Sequence, residues 1–314
     1  MTRPDLIAVG SYFDWDIERM EAEYTLHSVK TPDEIGGLPE GVRSAARALA
    51  FKGHTPVNGA HMDFLPNLGI IANYGVGFDA IDIAAATERG IKVTNTPDVL
   101  NDDVADLAVA MILAQSRRIV QGSEWVRSGN WAGKGDFALN RKVSGAKAGI
   151  VGLGRIGREI ADRLAAFKME IHYHSRGEKE TPGWTFHADP VSLAKAVDYL
   201  VVALVGGKET QNYVSAEVIR ALGPNGVVVN ISRGTTIDEA ALLDALEKGE
   251  IAGAGLDVFL NEPDIDPRFL ALDNVVLQPH QGSGTVATRK AMGQLQCNNI
   301  AAFLAGRDLL TPVN

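Results

Sequence analysis

Four side chains in the second half of the sequence, Arg233, Asp257, Glu262 and His280, are of the types that can drive a carbonyl reduction. Each lies at or just past a short apolar run that reads as a strand. Arg233 comes after Gly226-Val227-Val228-Val229-Asn230-Ile231, Asp257 falls within Gly253–Val258, Glu262 follows Phe259, and His280 follows Asn274-Val275-Val276-Leu277. In an open parallel sheet, ligands bind outside the carboxyl ends of the strands. A guanidinium can hold a substrate carboxylate, an imidazolium can protonate a ketone oxygen, and a carboxylate can keep that imidazole protonated, which is the set needed to reduce a 2-keto acid. Spacing alone leaves open that these are unrelated surface residues.

A hydride source is written upstream, in Lys147-Ala148-Gly149-Ile150-Val151-Gly152-Leu153-Gly154-Arg155-Ile156-Gly157. An apolar strand runs into a glycine turn and then a helix. Gly152 permits the tight turn, Gly154 lets the backbone approach a diphosphate, Gly157 lets the helix lie close on the strand, and the helix N-terminus offers free N–H groups. The motif alone is weak, because glycine turns occur in any α/β protein. The continuation strengthens it: a helix from Arg158 to Phe167 with Ile160, Leu164 and Phe167 on one face, then a strand from Met169 to His174, complete a βαβ unit. The acid that holds the ribose 2′-hydroxyl of NAD is expected about 20 residues past the first glycines, close to His174. None is present, and Ser175-Arg176 follows instead. A hydroxyl beside a guanidinium suits a 2′-phosphate, so the pair predicts NADP(H) as cofactor, with NAD the weaker alternative. The competing reading is an exposed Ser-Arg turn.

The elements that must position these groups run along the whole chain. Leu6–Gly10 reads as a strand, Trp15–Tyr24 and Glu40–Leu49 as helices, Gly53–Val57 as a turn, and Gly69–Tyr74 as a strand ending in Gly75-Val76-Gly77. That glycine pair can turn amides outward as a small anion cradle, or can be a plain strand-to-helix turn. A helix over Asp79–Arg89 closed by Gly90, and a strand over Ile91–Pro97, finish the first series. Asn101–Ser116 predicts a long apolar helix bridging two domains. The aromatics of Trp125–Phe137 suggest a subunit interface, or packing on the protein's own flank. Tyr199–Leu204 and Gly226–Ile231 are unbroken apolar strands, as a sheet covered on both faces requires. Glu239–Glu247 reads as a helix, and Gly284–Gly306 as a closing helix that crosses back to the first domain. The fold class is therefore α/β: two Rossmann-like or flavodoxin-like parallel-sheet domains with a cleft between them. The substrate-binding domain is expected at 1–98 plus 284–314 and the dinucleotide-binding domain at 99–283.

Composition sets outer bounds. A chain of 314 residues suits two domains of about 150 each. A net charge of −9 argues against a nucleic-acid partner and requires local basic groups, Arg176 and Arg233, for anionic ligands. The single cysteine, Cys297, excludes an internal disulfide or a cysteine metal site and fits a reducing cytoplasm, and no metal is expected. No export signal or membrane span is read.

From about Pro56 to Thr311 the sequence resembles the D-isomer-specific 2-hydroxyacid dehydrogenase family. The resemblance rests on Gly75-Val76-Gly77-Phe78-Asp79, Ala84–Thr94, Gly152–Gly157, Asn230-Ile231-Ser232-Arg233-Gly234, Gly255-Leu256-Asp257-Val258-Phe259 with Glu262-Pro263, and Pro279-His280-Gln281-Gly282-Ser283. Ser175-Arg176 and Gly282–Arg289 are similar to the NADPH-dependent glyoxylate/hydroxypyruvate and hydroxyphenylpyruvate reductases within it. The resemblance implies that Arg233 binds the carboxylate and polarises the keto oxygen, His280 donates the proton, and Glu262 orients His280. It implies carboxylate contacts from the Val76 and Gly77 amides, and cofactor contacts from Arg155, Ile156, Ser175, Arg176, Ile231, Asp257 and Gly282, with Asp257 on the nicotinamide carboxamide. It also implies a homodimer acting on a small 2-keto acid, glyoxylate or hydroxypyruvate ahead of arylpyruvates, to give the D-2-hydroxy acid. A second class is a dinucleotide-sensing corepressor of the same fold, disfavoured because the sequence ends within a few residues of its closing helix.

Overall fold

The structure is a computed structural model that describes residues 3–314. The chain divides into two compact units, Met1–Leu100 with Thr285–Asn314, and Asn101–Gly284.

The first unit is built on a five-stranded parallel sheet, β1 (Asp5–Val9), β2 (Thr25–Val29), β3 (Ala48–Phe51), β4 (Ile70–Asn73) and β5 (Lys92–Thr94), in the order β2-β1-β3-β4-β5. Every residue of β3 and β4 is buried, which is why neither shows the alternation of a half-exposed strand. This corrects the reading of Glu40–Leu49 as one helix: the helix covers only Glu40–Ala45, and Ala48-Leu49-Ala50-Phe51 is a central strand. Four consecutive apolar residues match a short helix as well as a doubly covered strand. Strand β2 was not legible either, being a short edge strand, Thr25-Leu26-His27-Ser28-Val29, whose adjacent His27 and Ser28 break any alternation. The helix expected from Asp79 begins later, at Ile83, because the Asp82 carboxylate accepts from the Ala85 amide at 2.9 Å and caps it. Helix Val286–Leu304 belongs to this unit. Its Gln296 donates from Nε2 to the carbonyls of Ala72 at 2.7 Å and Phe51 at 3.2 Å, fastening it beside the ends of β3 and β4.

The second unit holds a seven-stranded parallel sheet of β6 (Lys147–Val151), β7 (Glu170–His174), β8 (Thr185–His187), β9 (Tyr199–Val202), β10 (Val227–Asn230), β11 (Gly253–Leu256) and β12 (Val275–Leu277), ordered β12-β11-β10-β9-β6-β7-β8. The order reverses between β6 and β9, the point at which this class of sheet binds dinucleotides. Helix Asn101–Ser116 lies wholly in this unit and packs on helix Arg155–Ala166 and on β10, β11 and β12. At the outer end of that helix pair, Arg163 reaches Asp102 and Asp106 at 2.6 Å each and Glu159 at 2.7 Å. The aromatic stretch after it folds as helices Ile119–Arg127 and Asn130–Lys134, leaving Ile119, Val120, Val126 and Trp131 more than half exposed. Among the described residues no helix is long and apolar enough to cross a membrane.

Candidate active site

The glycine turn after β6 has two kinds of glycine. Gly152 adopts a left-handed φ of 99°, and a Cβ there would stand 2.7 Å from the carbonyl oxygen of Ala203, at the end of β9. A Cβ on Gly157 would stand 2.1 Å from the Gly152 carbonyl oxygen. The protein itself demands glycine at both. At Gly154 a Cβ would meet no heavy atom within 4 Å, so protein packing does not require glycine there. A dinucleotide diphosphate would require it, because its oxygens must reach the backbone amides. Helix Arg155–Ala166 starts at Gly154 with no side-chain cap, so Arg155 and Ile156 open a helix whose first N–H groups are not capped by a side chain. These residues fit a dinucleotide. Ile231, buried, follows β10 at the same edge of the sheet.

The structure corrects the position expected to face the ribose. His174, the last residue of β7, is buried: its Nδ1 lies 2.9 Å from the His187 carbonyl oxygen and its Nε2 lies 2.6 Å from the Tyr213 hydroxyl. It faces β8 rather than the sheet edge. Ser175 is the first residue to emerge, its hydroxyl donating to the Gly177 carbonyl at 2.6 Å. Arg176 is exposed and makes no hydrogen bond or ion pair among the described residues, so its guanidinium is uncommitted.

The structure brings Glu262 and His280 together. Nδ1 of His280 lies 2.6 Å from Glu262 Oε2, while Glu262 Oε1 accepts from the Phe259 amide at 2.8 Å, so both carboxylate oxygens are committed. The carboxylate at Nδ1 fixes the ring's orientation. The His280 backbone takes a left-handed φ of 53°, and its amide donates to the Asp257 carbonyl at 2.9 Å. The Asp257 carboxylate accepts from the amides of Gln281 at 2.6 Å and Gly282 at 2.8 Å. Buried at 1% exposure, it has its pKa pushed up by desolvation, with those two amides opposing the rise. Asp257 therefore fixes the turn carrying His280.

Arg233 stands on a turn at the end of β10. The Asn230 amide group donates to the Arg233 carbonyl at 3.0 Å, and Thr236 Oγ1 donates to the same carbonyl at 2.7 Å. Gly234 lies against the Phe259 backbone so closely that a Cβ would stand 2.0 Å from its carbonyl carbon. Phe259 also supplies the amide that holds Glu262, so the arginine turn and the Glu262–His280 pair share one support. Sequence reasoning missed Asn230, whose only signal is a polar residue at a strand end, and Thr236, which lies in the turn Gly234–Thr236 beyond it.

In the first unit, Asn73 at the end of β4 donates to the carbonyls of Gly75 at 3.1 Å and Gly77 at 2.8 Å, and Asn95 donates to the Val76 carbonyl at 2.9 Å. The loop carbonyls are thereby taken up. The amides of Val76 and Gly77 donate to no acceptor among the described residues. An anion-receptive pair of N–H groups results.

With this geometry, the fold and the site define a nucleotide-dependent dehydrogenase, and the comparisons with known proteins agree. Residues 109–282 match the family model described as D-isomer specific 2-hydroxyacid dehydrogenase, NAD binding domain. The chain is 47% identical over 267 residues to a hydroxyphenylpyruvate reductase of Plectranthus scutellarioides, covering 85% of each. It is 43% identical over 305 residues to a glyoxylate/hydroxypyruvate reductase A of Arabidopsis thaliana, covering 97% of this chain and 96% of that one. Among solved structures, an NADPH-dependent glyoxylate/hydroxypyruvate reductase from Sinorhizobium meliloti, in complex with NADP and malonate, superposes with a TM-score of 0.94 at 41% identity, covering 99% of this chain and 97% of that one. The chain belongs to the D-isomer specific 2-hydroxyacid dehydrogenase family and is an oxidoreductase.

Proposed function

We propose that the protein reduces small 2-keto acids to D-2-hydroxy acids with NADPH, glyoxylate and hydroxypyruvate ahead of arylpyruvates. The observation that carries the reading is the 2.6 Å Glu262–His280 pair supported, through Phe259, by the same backbone as Arg233. Arg233 holds the substrate carboxylate and polarises the keto oxygen, and the Val76 and Gly77 amides supply further carboxylate donors. His280 gives its Nε2 proton to the oxygen as negative charge develops there, and Glu262 stabilises the imidazolium beforehand and fixes its orientation. The cofactor supplies the hydride when bound. Gly152, Gly154, Arg155, Ile156 and Gly157 hold its diphosphate. Ile231 and the loop at Gly282 lie along it, and Ser175 with Arg176 take the 2′-phosphate.

The relatives support this reading over a corepressor of the same fold, since three of them are named as reductases. The exposed Ile119, Val120, Val126 and Trp131 support a homodimer, and we place the protein in the cytoplasm, where the buried Cys297 stays a thiol. Initial rates of NADPH and NADH oxidation with glyoxylate, hydroxypyruvate, pyruvate and phenylpyruvate test the function. NADPH turnover with the first two is the expected result, and no turnover with any of the four would overturn it. A monomeric mass by light scattering at micromolar concentration would remove the dimer.

A further inference from the structure

The sheet of the first unit has its own order reversal, between β1 and β3, where the chain leaves toward β2 on one side and returns on the other. Such a crevice, outside the carboxyl ends of the strands, is where open parallel sheets take ligands. Gly10 and Lys52 flank it. Gly10 has a left-handed φ of 107°, and a Cβ on it would stand 1.8 Å from the Lys52 carbonyl oxygen, so the two strand ends touch through backbone.

The Lys52 side chain enters a cup of three aromatic rings. Its Nζ lies 4.1 Å from the ring centre of Phe13, 4.9 Å from that of Tyr74 and 5.5 Å from that of Tyr12. The cup is fixed from behind. Tyr74 donates its hydroxyl to the Arg289 carbonyl at 2.6 Å, the Tyr12 hydroxyl accepts from Gln296 at 3.0 Å, Tyr12 and Tyr74 meet edge to face, and Phe13 stacks on Trp15. Rings compensate an ammonium's charge, but they do not satisfy its three N–H donors. The Lys52 ammonium makes no hydrogen bond and no ion pair among the described residues, although the side chain is partly withdrawn from solvent. Since Phe51 pairs with Asn73, Lys52 lies level with Tyr74 on the neighbouring strand, which is followed at once by Gly75-Val76-Gly77. Adjacent strands run about 4.8 Å apart, so the Lys52 backbone lies beside Tyr74, immediately before the loop of the open amides, and the Tyr74 ring forms one wall of the lysine's cup.

We propose that Lys52 is a specificity-determining residue that binds an anionic group at the far end of the substrate, extending the substrate class to 2-keto acids that carry a second carboxylate. The inference rests on the keto-acid reading of the loop amides. Around Lys52 the charged and titratable groups are Asp16, Arg19, Arg289, Tyr12, Tyr74 and Cys297. Burial brings the Lys52 pKa down to about 8, Arg289 adds to the fall and Asp16 opposes it. Burial pushes both tyrosine hydroxyls up, away from where Lys52 titrates, and it also raises the Asp16 carboxyl from its ordinary acidic range. The ammonium is the anion-binding form, so the preference for a diacid is full below that pH and declines above it.

The test compares 2-ketoglutarate with the monoacid 2-ketopentanoate and with glyoxylate, for the wild type and Lys52→Met, from pH 6.5 to 9.5. In the wild type, the ratio of kcat/KM for the diacid over the monoacid should exceed one at pH 7 and fall above about pH 8. In Lys52→Met that ratio should drop by roughly ten- to hundredfold, mostly through KM, with the pH limb gone. Equal losses on all three acids, or a wild-type ratio that does not change with pH, would overturn the assignment of Lys52 while leaving the reductase reading in place. A wild type that reduces none of the acids would overturn both. The wild-type pH profile decides even if the variant fails to fold.

Discussion

Two crevices, one at the order reversal of each sheet, solve different recognition problems with different atoms. The crevice beside β6 and β9 is lined by main chain: two glycines packed against backbone, a third facing no protein atom, and an uncapped helix start. The one beside β1 and β3 is lined by side chains, a lysine inside three rings. Backbone amides suit a diphosphate, which is the same in every turnover. Side chains suit a ligand whose far end varies, because they can change without disturbing the sheet.

The contrast breaks first at Arg233, which belongs to the second unit yet is assigned to substrate rather than cofactor. Arg233→Lys should keep NADPH binding while kcat/KM for glyoxylate falls by roughly a hundred- to a thousandfold, since lysine lacks the planar two-point contact. A fluorescence titration of NADPH beside the rate assay separates the two, and a near-normal rate would remove Arg233 from the chemistry. Next, the two kinds of glycine should come apart. Gly157→Ala forces the helix off the Gly152 carbonyl and should weaken NADPH binding by roughly ten- to a hundredfold, together with a lower Tm. Gly154→Ala meets no protein atom, so its Tm should move by less than about 2 °C while the KM for NADPH rises roughly tenfold. A fall in Tm without a change in KM would show that Gly154 answers to packing after all. The smallest effect is at the ribose edge. Arg176→Ala should cut the preference for NADPH over NADH by roughly tenfold, and adding Ser175→Asp, at the residue that emerges from β7, should reverse it. An unchanged ratio of kcat/KM for the two cofactors would end the phosphate assignment.

Where a residue is chemically distinctive, the sequence was informative. Asn101–Ser116 and Glu239–Glu247 fold as helices with the bounds read from their patterns, and Arg233, Asp257, Glu262 and His280 all stand at the strand ends anticipated for them. What escaped were elements whose pattern is shared by two structures. Strand β3 passed for the end of a helix because its four residues are covered on both faces. Strand β8 and helices Pro190–Ala196 and Ala216–Leu222 are too short to show a period. His174 drew attention by its distance from the glycines, yet only the pairing of β7 with β8 decides which way its ring points. Lys52 escaped for the same reason, since its rings arrive from separate strand ends.

The lone thiol turns the first unit into its own clock. Cys297 sits in helix Val286–Leu304 within the apolar cluster of Leu6, Ala48, Ile70 and Ile300, where burial pushes its pKa up to about 12. A thiol raised this far offers a disulfide reagent almost no thiolate until that helix lifts from the sheet. Each labelling event marks one opening of that layer, and because this is the only cysteine of the chain, the second unit contributes no background. The rate of labelling thus times the breathing of one half of the molecule without any introduced probe.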